Sequence, residues 1–404
     1  MKSVLKKFAA FLSALTLMAA VSCSGAMAAT SAAVYSADEL FTSRDLTQTA
    51  DLSDATCYTL ADGQEIHITA AGVYVLTGTA SDATVYVEAG KDDKVQLVLD
   101  GLNVTNSNFP VIYAKTADKV FVTVSGDSQL SVTGSFAADG STNTDGVIFS
   151  KCDLVLNGTA TLTVVSTANG IVGKDDLKIT GGTYSITASS KAIQANDSIR
   201  VADGVLYLAA GTDGLHAENE GDDTLGYIYI GGGTLNIQAG DDGIHATSVV
   251  QIDGGDITVK AAEGIEATYV QLNGGVISIQ ASDDGVNAAQ KSRAYTATVE
   301  INGGDITVVM GSGDTDGIDS NGNIIVNGGT VNVTGNSAFD YDGSAQYNGG
   351  TIIANGQQVS SITNQMMGGG GMMGGGWGSQ YGNSGFGGYG SFGGGRGGRG
   401  GRGW

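Results

Sequence analysis

The chain has one proline, two tryptophans and three cysteines in 404 residues, and its 19 Lys and Arg are outnumbered by 41 Asp and Glu. Each shortage excludes something. A formal charge of −22 excludes an exposed nucleic-acid partner, because phosphate contacts need a basic surface; cations are the natural first partner. After the amino-terminal apolar run, no stretch is long enough to cross a bilayer. Cys57 and Cys152 are read as unpaired, since the fold argued below needs no crosslink. With aromatics at 7% but 65 glycines, the composition is unlike that of an average globular enzyme and points to a repeat fold.

Residues 1–28 read as an export signal: a Lys-containing start, an apolar run from Phe8 to about Val21, and Ala26-Met27-Ala28 as a small-residue cleavage site. Lipoprotein processing at Cys23 is the competing reading, but Ala20-Val21-Ser22 lacks the usual leucine three places upstream. Removing this segment takes away three lysines and no acids, so the charge of −22 becomes −25. The protein is expected to be secreted or held at the cell surface.

What the chain does have is a repeat. Short pentads start at Asp145, Asn169, Lys191, Asp213, Asp242, Glu263, Asp284, Asp316 and Ala338, giving a base period of 21–22 residues. Two insertions, Glu218–Leu225 and Gln290–Thr298, interrupt it. Within each unit apolar residues alternate, which is a strand signal: Val250, Ile252, Ile257 and Val259 in one unit match Val270, Leu272, Ile277 and Ile279 in the next. Leu215, Ile244, Ile265, Val286 and Ile318 form a further column from the pentads. Each unit thus supplies three short strands and must stack on its neighbours to bury its apolar face. Asp253, Asn273, Asn302, Asn327 and Asn348 precede glycine pairs, and Asn157 precedes a single glycine; stacked Asn amides bond along the axis, and the first glycines, Gly254, Gly274, Gly303, Gly328 and Gly349, are expected to take positive φ. The pattern predicts an all-β fold, a right-handed parallel β-helix, the hand following from the crossover preference. Residues 29–70 are expected to cap the first coil, 71–364 to form the β-helix, and the Gly/Arg-rich stretch 365–404 to be a disordered tail.

Stacking puts like charges in register. With neighbouring strands about 4.8 Å apart, the first pentad position makes a ladder of Asp213, Asp242, Glu263, Asp284 and Asp316, and the fourth a ladder of His216, His245, Glu266, Asn287 and Asp319. Asp241, Asp283 and Asp314 flank the rungs. Carboxylates at that spacing repel by about 1 kcal/mol in water and more when shielded, so the ladder calls for raised pKa values or bound cations. Neighbouring carboxylates with Asn and carbonyl oxygens suit calcium, which takes six to eight hard oxygen ligands. The bland alternative, acids that cap turns with their charges in solvent, explains a single Asp-Gly better than five consecutive acidic rungs. The candidate calcium ligands are therefore Asp213, Asp241, Asp242, Glu263, Glu266, Asp283, Asp284, Asn287, Asp314, Asp316 and Asp319. His216 and His245 offer too few nitrogens for a transition metal and are read as ring-packing or carboxylate partners, with Lys191 as the counter-charge that ends the ladder.

At these residues the chain resembles the secreted carbohydrate-binding β-helix proteins of clostridia and their relatives, whose coils repeat motifs of the form DDGIHA followed by a strand and a GG turn. The matching segments are TDGLHA from Thr212, DDGIHA from Asp241, EGIEA from Glu263, DDGVNA from Asp283 and TDGIDS from Thr315, within residues 70–360 or so. The resemblance implies calcium at the acidic turns and binding of plant-wall polysaccharide, cellulose or acidic pectic chains, on a fold like that of calcium-dependent pectate lyases but without catalysis. Family coils often continue with another Asp where Thr247, Thr268 and Ala289 stand here.

Sugar faces stack on exposed aromatic rings, and Tyr207 and Tyr229, outward by alternation, and Tyr295, in the second insertion, are the candidates. Competing readings are a lyase using Lys191, Lys260 or Lys291 as base, an inverting hydrolase using Asp241 and Asp242, and a structural surface protein attached to the cell wall through Arg396, Arg399 and Arg402 of the tail. A β-helix hosts all of these, so fold alone does not choose.

Overall fold

The computed structural model describes residues 33–313 and 315–365. The expected export signal, the Arg-Gly tail from residue 366 onward and Asp314 lie outside the described residues. Among those described, the strands fall into a sheet of 24 and a sheet of 12. Strands before Ile112–Thr116 pair in parallel mostly with the strand two places on, and from Ile112–Thr116 to Thr351–Ala354 the parallel partner is three places on, so the chain returns beside itself once per unit, an arrangement consistent with a β-helix.

Period-two patterning explains the packing. In Asp256–Ala261, exposed and buried residues alternate, and Ile257 and Val259 are fully buried. The columns inferred from the repeat, Val250, Ile252, Leu272, Ile277, Ile244, Ile265, Val286 and Ile318 among them, all lie in one continuous core with no exposed surface. Because a parallel ladder places equivalent residues directly over one another, like packs on like along the whole axis.

The turns hold by the amide stack that the Asn column predicts. Asn273 donates to Asp253 (2.7 Å), Asn302 to Asn273 (2.8 Å), Asn327 to Asn302 (2.7 Å) and Asn348 to Asn327 (2.8 Å). The glycine roles differ from expectation. Positive φ falls on the second glycine of each pair, Gly255, Gly275, Gly304, Gly329 and Gly350. The first is needed for space: a Cβ on Gly274 would stand 2.4 Å from the Asp253 carbonyl oxygen one unit below.

One expectation about the ends is corrected. Strands Thr56–Thr59 and Glu65–Ile68 already pair with the next unit, so residues 55–70 belong to the first coil and do not cap it. Residues 33–50 instead form a strap along the side of the stack. Gln251 binds both backbone groups of Tyr35 (2.7 and 2.9 Å), Lys178 donates to the Leu40 carbonyl (2.8 Å), and Asn157 donates to the Thr47 carbonyl (3.0 Å). Asp45, fully buried, anchors it against Lys178 (3.0 Å) and Lys119 (3.3 Å). Burial alone would raise the Asp45 pKa, but the Thr42 N–H and Lys178 hold it below the usual carboxylate range. At the other end a short hairpin, Thr351–Ala354 with Gln357–Val359, is the antiparallel pair that closes the larger sheet. Cys57 is exposed, Cys152 is buried, and they are not bonded. Among the described residues no helix is long and apolar enough to cross a membrane.

Candidate functional site

The fourth pentad position traces one unbroken row across all twelve strands of the smaller sheet: His67, Tyr86, Tyr113, Phe149, Val172, Gln194, His216, His245, Glu266, Asn287, Asp319 and Asp340. Its chemistry changes along the axis. The amino-terminal part is aromatic, with His67 stacked on Tyr86 (4.7 Å between centroids) and Lys115 over Tyr86 and Tyr113 at 4.8 and 5.2 Å. The carboxy-terminal part is acidic.

The register corrects two rungs. Asn169 lies opposite Gly146, which leaves Asp145 one residue outside the ladder. Asp316 lies opposite Ser337, so the last pentad starts at Ser337, not Ala338, and brings Asp340 beneath Asp319. Asp340 escaped the sequence reading although Ser-Ala-Phe-Asp-Tyr matches Asp-Gly-Ile-Asp-Ser in frame; the missing acid at its first position hid the match.

The acidic part divides into two electrostatically different segments. In the first, basic side chains answer the acids. Lys191 lies 3.5 Å from Asp213, His216 Nδ1 lies 2.8 Å from Asp213, and His245 Nδ1 lies 2.5 Å from Asp242 and 3.0 Å from Glu266, which also meets Lys291 at 3.0 Å. The two imidazoles stack at 4.6 Å, so both sequence readings of the histidines hold. Burial works against a charged His245, yet bonds to Asp242 and Glu266 outweigh it and push its pKa up to about 9. Asp242, His245 and Glu266 are close enough to share a metal ion, with ligand atoms within 4.8 Å of one another, and the raised pKa of His245 lets the imidazole itself serve as their counter-charge. The two insertions meet beside this segment, where Ser292 Oγ donates to the Asp223 carbonyl (2.5 Å).

The second segment has no such balance. Among the described residues, no Lys, Arg or His pairs with Glu263, Asp284, Asp319 or Asp340. Desolvation, reinforced by Glu266, pushes Glu263 up to about 7. Desolvation and Asp283 raise Asp284 to about 6, and desolvation with Asp284, Asp340 and Asp316 raises Asp319 to about 7. Asn287 donates to Glu263 (3.1 Å), while its own Oδ1, like Asp340 Oδ1, is buried with no hydrogen-bond donor. Oxygen atoms oriented inward without donors, beside carboxyls that resist ionisation, make a donor set suited to a hard cation. Asp241 and Asp283 are exposed at the turns, and Asp316 sits in the row through its backbone bond to Asp284 Oδ1 (3.3 Å).

The candidate sugar-stacking tyrosines separate. Tyr207 is half exposed, at 51%. Tyr229 points outward as alternation requires, but the strap covers it: Phe41 packs at 6.1 Å, its hydroxyl donates to Asp253 (3.0 Å), and 2% of it is exposed. Tyr295 is half-buried beside Tyr269 at 6.1 Å. Of the candidate lyase bases, Lys191 and Lys291 are engaged by carboxylates, and Lys260 stands on the other sheet. Asp241 and Asp242 are not an opposed pair, since the first faces solvent and the second is buried against His245.

A carbohydrate-binding domain-containing protein of Acetivibrio thermocellus is 34% identical over 128 residues, which cover 30% of this chain and 45% of that protein; the chain thus spans under half the length of this curated relative. A solved structure, described as the polysaccharide lyase-like protein from C. thermocellum in a gadolinium derivative, superposes with a TM-score of 0.50 at 30% identity, over 55% of this chain and 96% of that one. The model of the carbohydrate-binding domain-containing protein family matches residues 62–315, well over half of the chain, and the chain belongs to that family.

Proposed function

We propose that the protein is a secreted, non-catalytic, calcium-dependent binder of plant cell-wall polysaccharide, cellulose or acidic pectic chains, built as a right-handed parallel β-helix. The observation that carries the calcium part is the second acidic segment, where Glu263, Asp284 and Asp319 are stacked and half-buried with no Lys, Arg or His among the described residues to answer them. Glu263, Asp284, Asn287, Asp316, Asp319 and Asp340, spread over four successive units, would supply ligands to calcium ions along this segment. Bound there, calcium supplies positive charge that can also attract a uronate carboxylate. That the structural neighbour was obtained as a gadolinium derivative supports the reading, since a lanthanide seeks the same hard oxygen donors.

The non-catalytic reading draws support from the lysines: a lyase needs an amine free to take a proton, and those nearest the acids are held by Asp213 and Glu266. Export through residues 1–28 and wall attachment through the tail complete the proposal. The test is retention on insoluble cellulose and on polygalacturonate, with and without chelator, while absorbance of unsaturated uronate is followed. Retention without product supports a binding module. Accumulating product overturns it in favour of a lyase.

A further inference from the structure

The larger sheet carries a second row, of the opposite character to the acidic one. Gln129, Thr163, Ser185, Tyr207, Asn236, Thr258, Ser278, Thr307 and Asn332 lie directly over one another through nine consecutive units. All are outward-facing by alternation, all bear hydrogen-bonding groups, and none is charged. Nine rungs free of charge set this row apart from the acidic ladder on the smaller sheet. None of these pairings has a register shift, so the row is straight and spans roughly 38 Å at strand spacing. A hollow of about 410 Å³ lies over its centre, lined by Ser185, Tyr207, Asn236, Thr258 and Ser278. It continues into two more hollows along the sheet edge, and the three share Lys260, the one charged residue that lines any of them. The nearest acids on these strands, Asp256 and Asp305, stand at the strand starts and line none of the three.

We propose that this row is a second glycan site, separate from the acidic ladder and independent of cations, which takes a neutral, extended β-1,4-linked chain along the axis. The inference rests on the carbohydrate-binding reading above. Its charge argument is simple: a neutral polymer gains nothing from ion pairs and loses by desolvating them, so its site should offer amides and hydroxyls, as this row does. A straight row with one polar group per strand, spaced close to the length of one pyranose residue, suits an extended chain and not a coiled one. Tyr207, half exposed in mid-row, supplies the ring on which a sugar face rests.

The experiment titrates the full chain with a soluble cello-oligosaccharide and with polygalacturonate, each in calcium and in chelator, and circular dichroism verifies that every variant is folded. Tyr207→Ala is expected to weaken the cello-oligosaccharide by about five- to tenfold, equally in calcium and in chelator, and to leave polygalacturonate unchanged. Ser278→Asp and Ser278→Lys should each weaken the neutral chain, whichever sign is introduced. Undiminished glucan binding in all three variants overturns the site, as does loss of glucan binding on chelation alone. Strengthened polygalacturonate binding by Ser278→Lys would show that the row takes acidic chains instead. Wild-type protein that binds polygalacturonate but no glucan sinks this inference and leaves the proposed function standing; protein that binds neither sinks both.

Discussion

Freed of divalent cations, the protein should lose stability as pH rises from about 4 to about 7, and Glu263→Gln combined with Asp319→Asn should remove most of that loss. Glu263 moves from an ordinary 4.5 to about 7, Asp319 from 3.8 to about 7 and Asp284 from 3.8 to about 6. A carboxyl whose pKa is raised by folding binds its proton more tightly in the folded state. Its contribution is therefore complete below the unfolded pKa and disappears as pH climbs through the folded one. Each tenfold change in proton affinity is about 1.4 kcal/mol, so each displacement taken alone is worth roughly 3–4 kcal/mol. These groups are only partly buried, and solvent screening reduces that to about 1 kcal/mol apiece, or about 3 kcal/mol for the three. With roughly 330 ordered residues unfolding together, that is a fall in Tm on the order of 4 °C. Differential scanning calorimetry on metal-free protein at pH 4.5, 6 and 7.5 measures it, with the double variant alongside. A wild-type Tm that holds or rises across that range, or a variant that falls just as far, refutes the reasoning.

Calcium should reverse this loss near neutral pH, by about 2.7 kcal/mol per ion at a hundredfold excess over Kd, and calorimetric titration should show Asp319→Asn weakening calcium far more than Asp213→Asn, whose carboxylate is already met by Lys191 and His216. His245 makes a separate contribution, complete below about pH 6.5 and lost as pH rises through about 9; in His245→Asn, the further fall in Tm above pH 8 should vanish. Asp45→Asn leaves Lys178 buried without its carboxylate and should cost about 3–5 kcal/mol, read as faster proteolysis of the strap before the coils are cut. Gly274→Ala drives a Cβ into the Asp253 carbonyl and should greatly reduce the yield of folded protein, whereas exposed Lys260→Ala should leave Tm within about 1 °C of wild type.

The sequence by itself determined the elements that repeat. The strand alternation, the apolar columns, the amide stack from Asp253 to Asn348 and the stacking of Asp242, Glu263, Asp284 and Asp316 could all be read because parallel pairing sets equivalent residues over one another, so period alone carries the contact map. Even the partner of the histidines was legible, since three residues along a strand and one unit across bring acid to imidazole. Tertiary structure decided what does not repeat. The strap meets side chains 74 to 237 residues away, and nothing local marks Gln251 or Lys178 as receptors for a backbone, so the sequence gives no sign that Phe41 covers Tyr229. Asp340 depended on one residue of register. The division of the ladder into a balanced and an unbalanced segment depended on where Lys291, carried by an insertion, reaches its carboxylate. Those contacts join residues with no shared period, and only the folded chain brings them together.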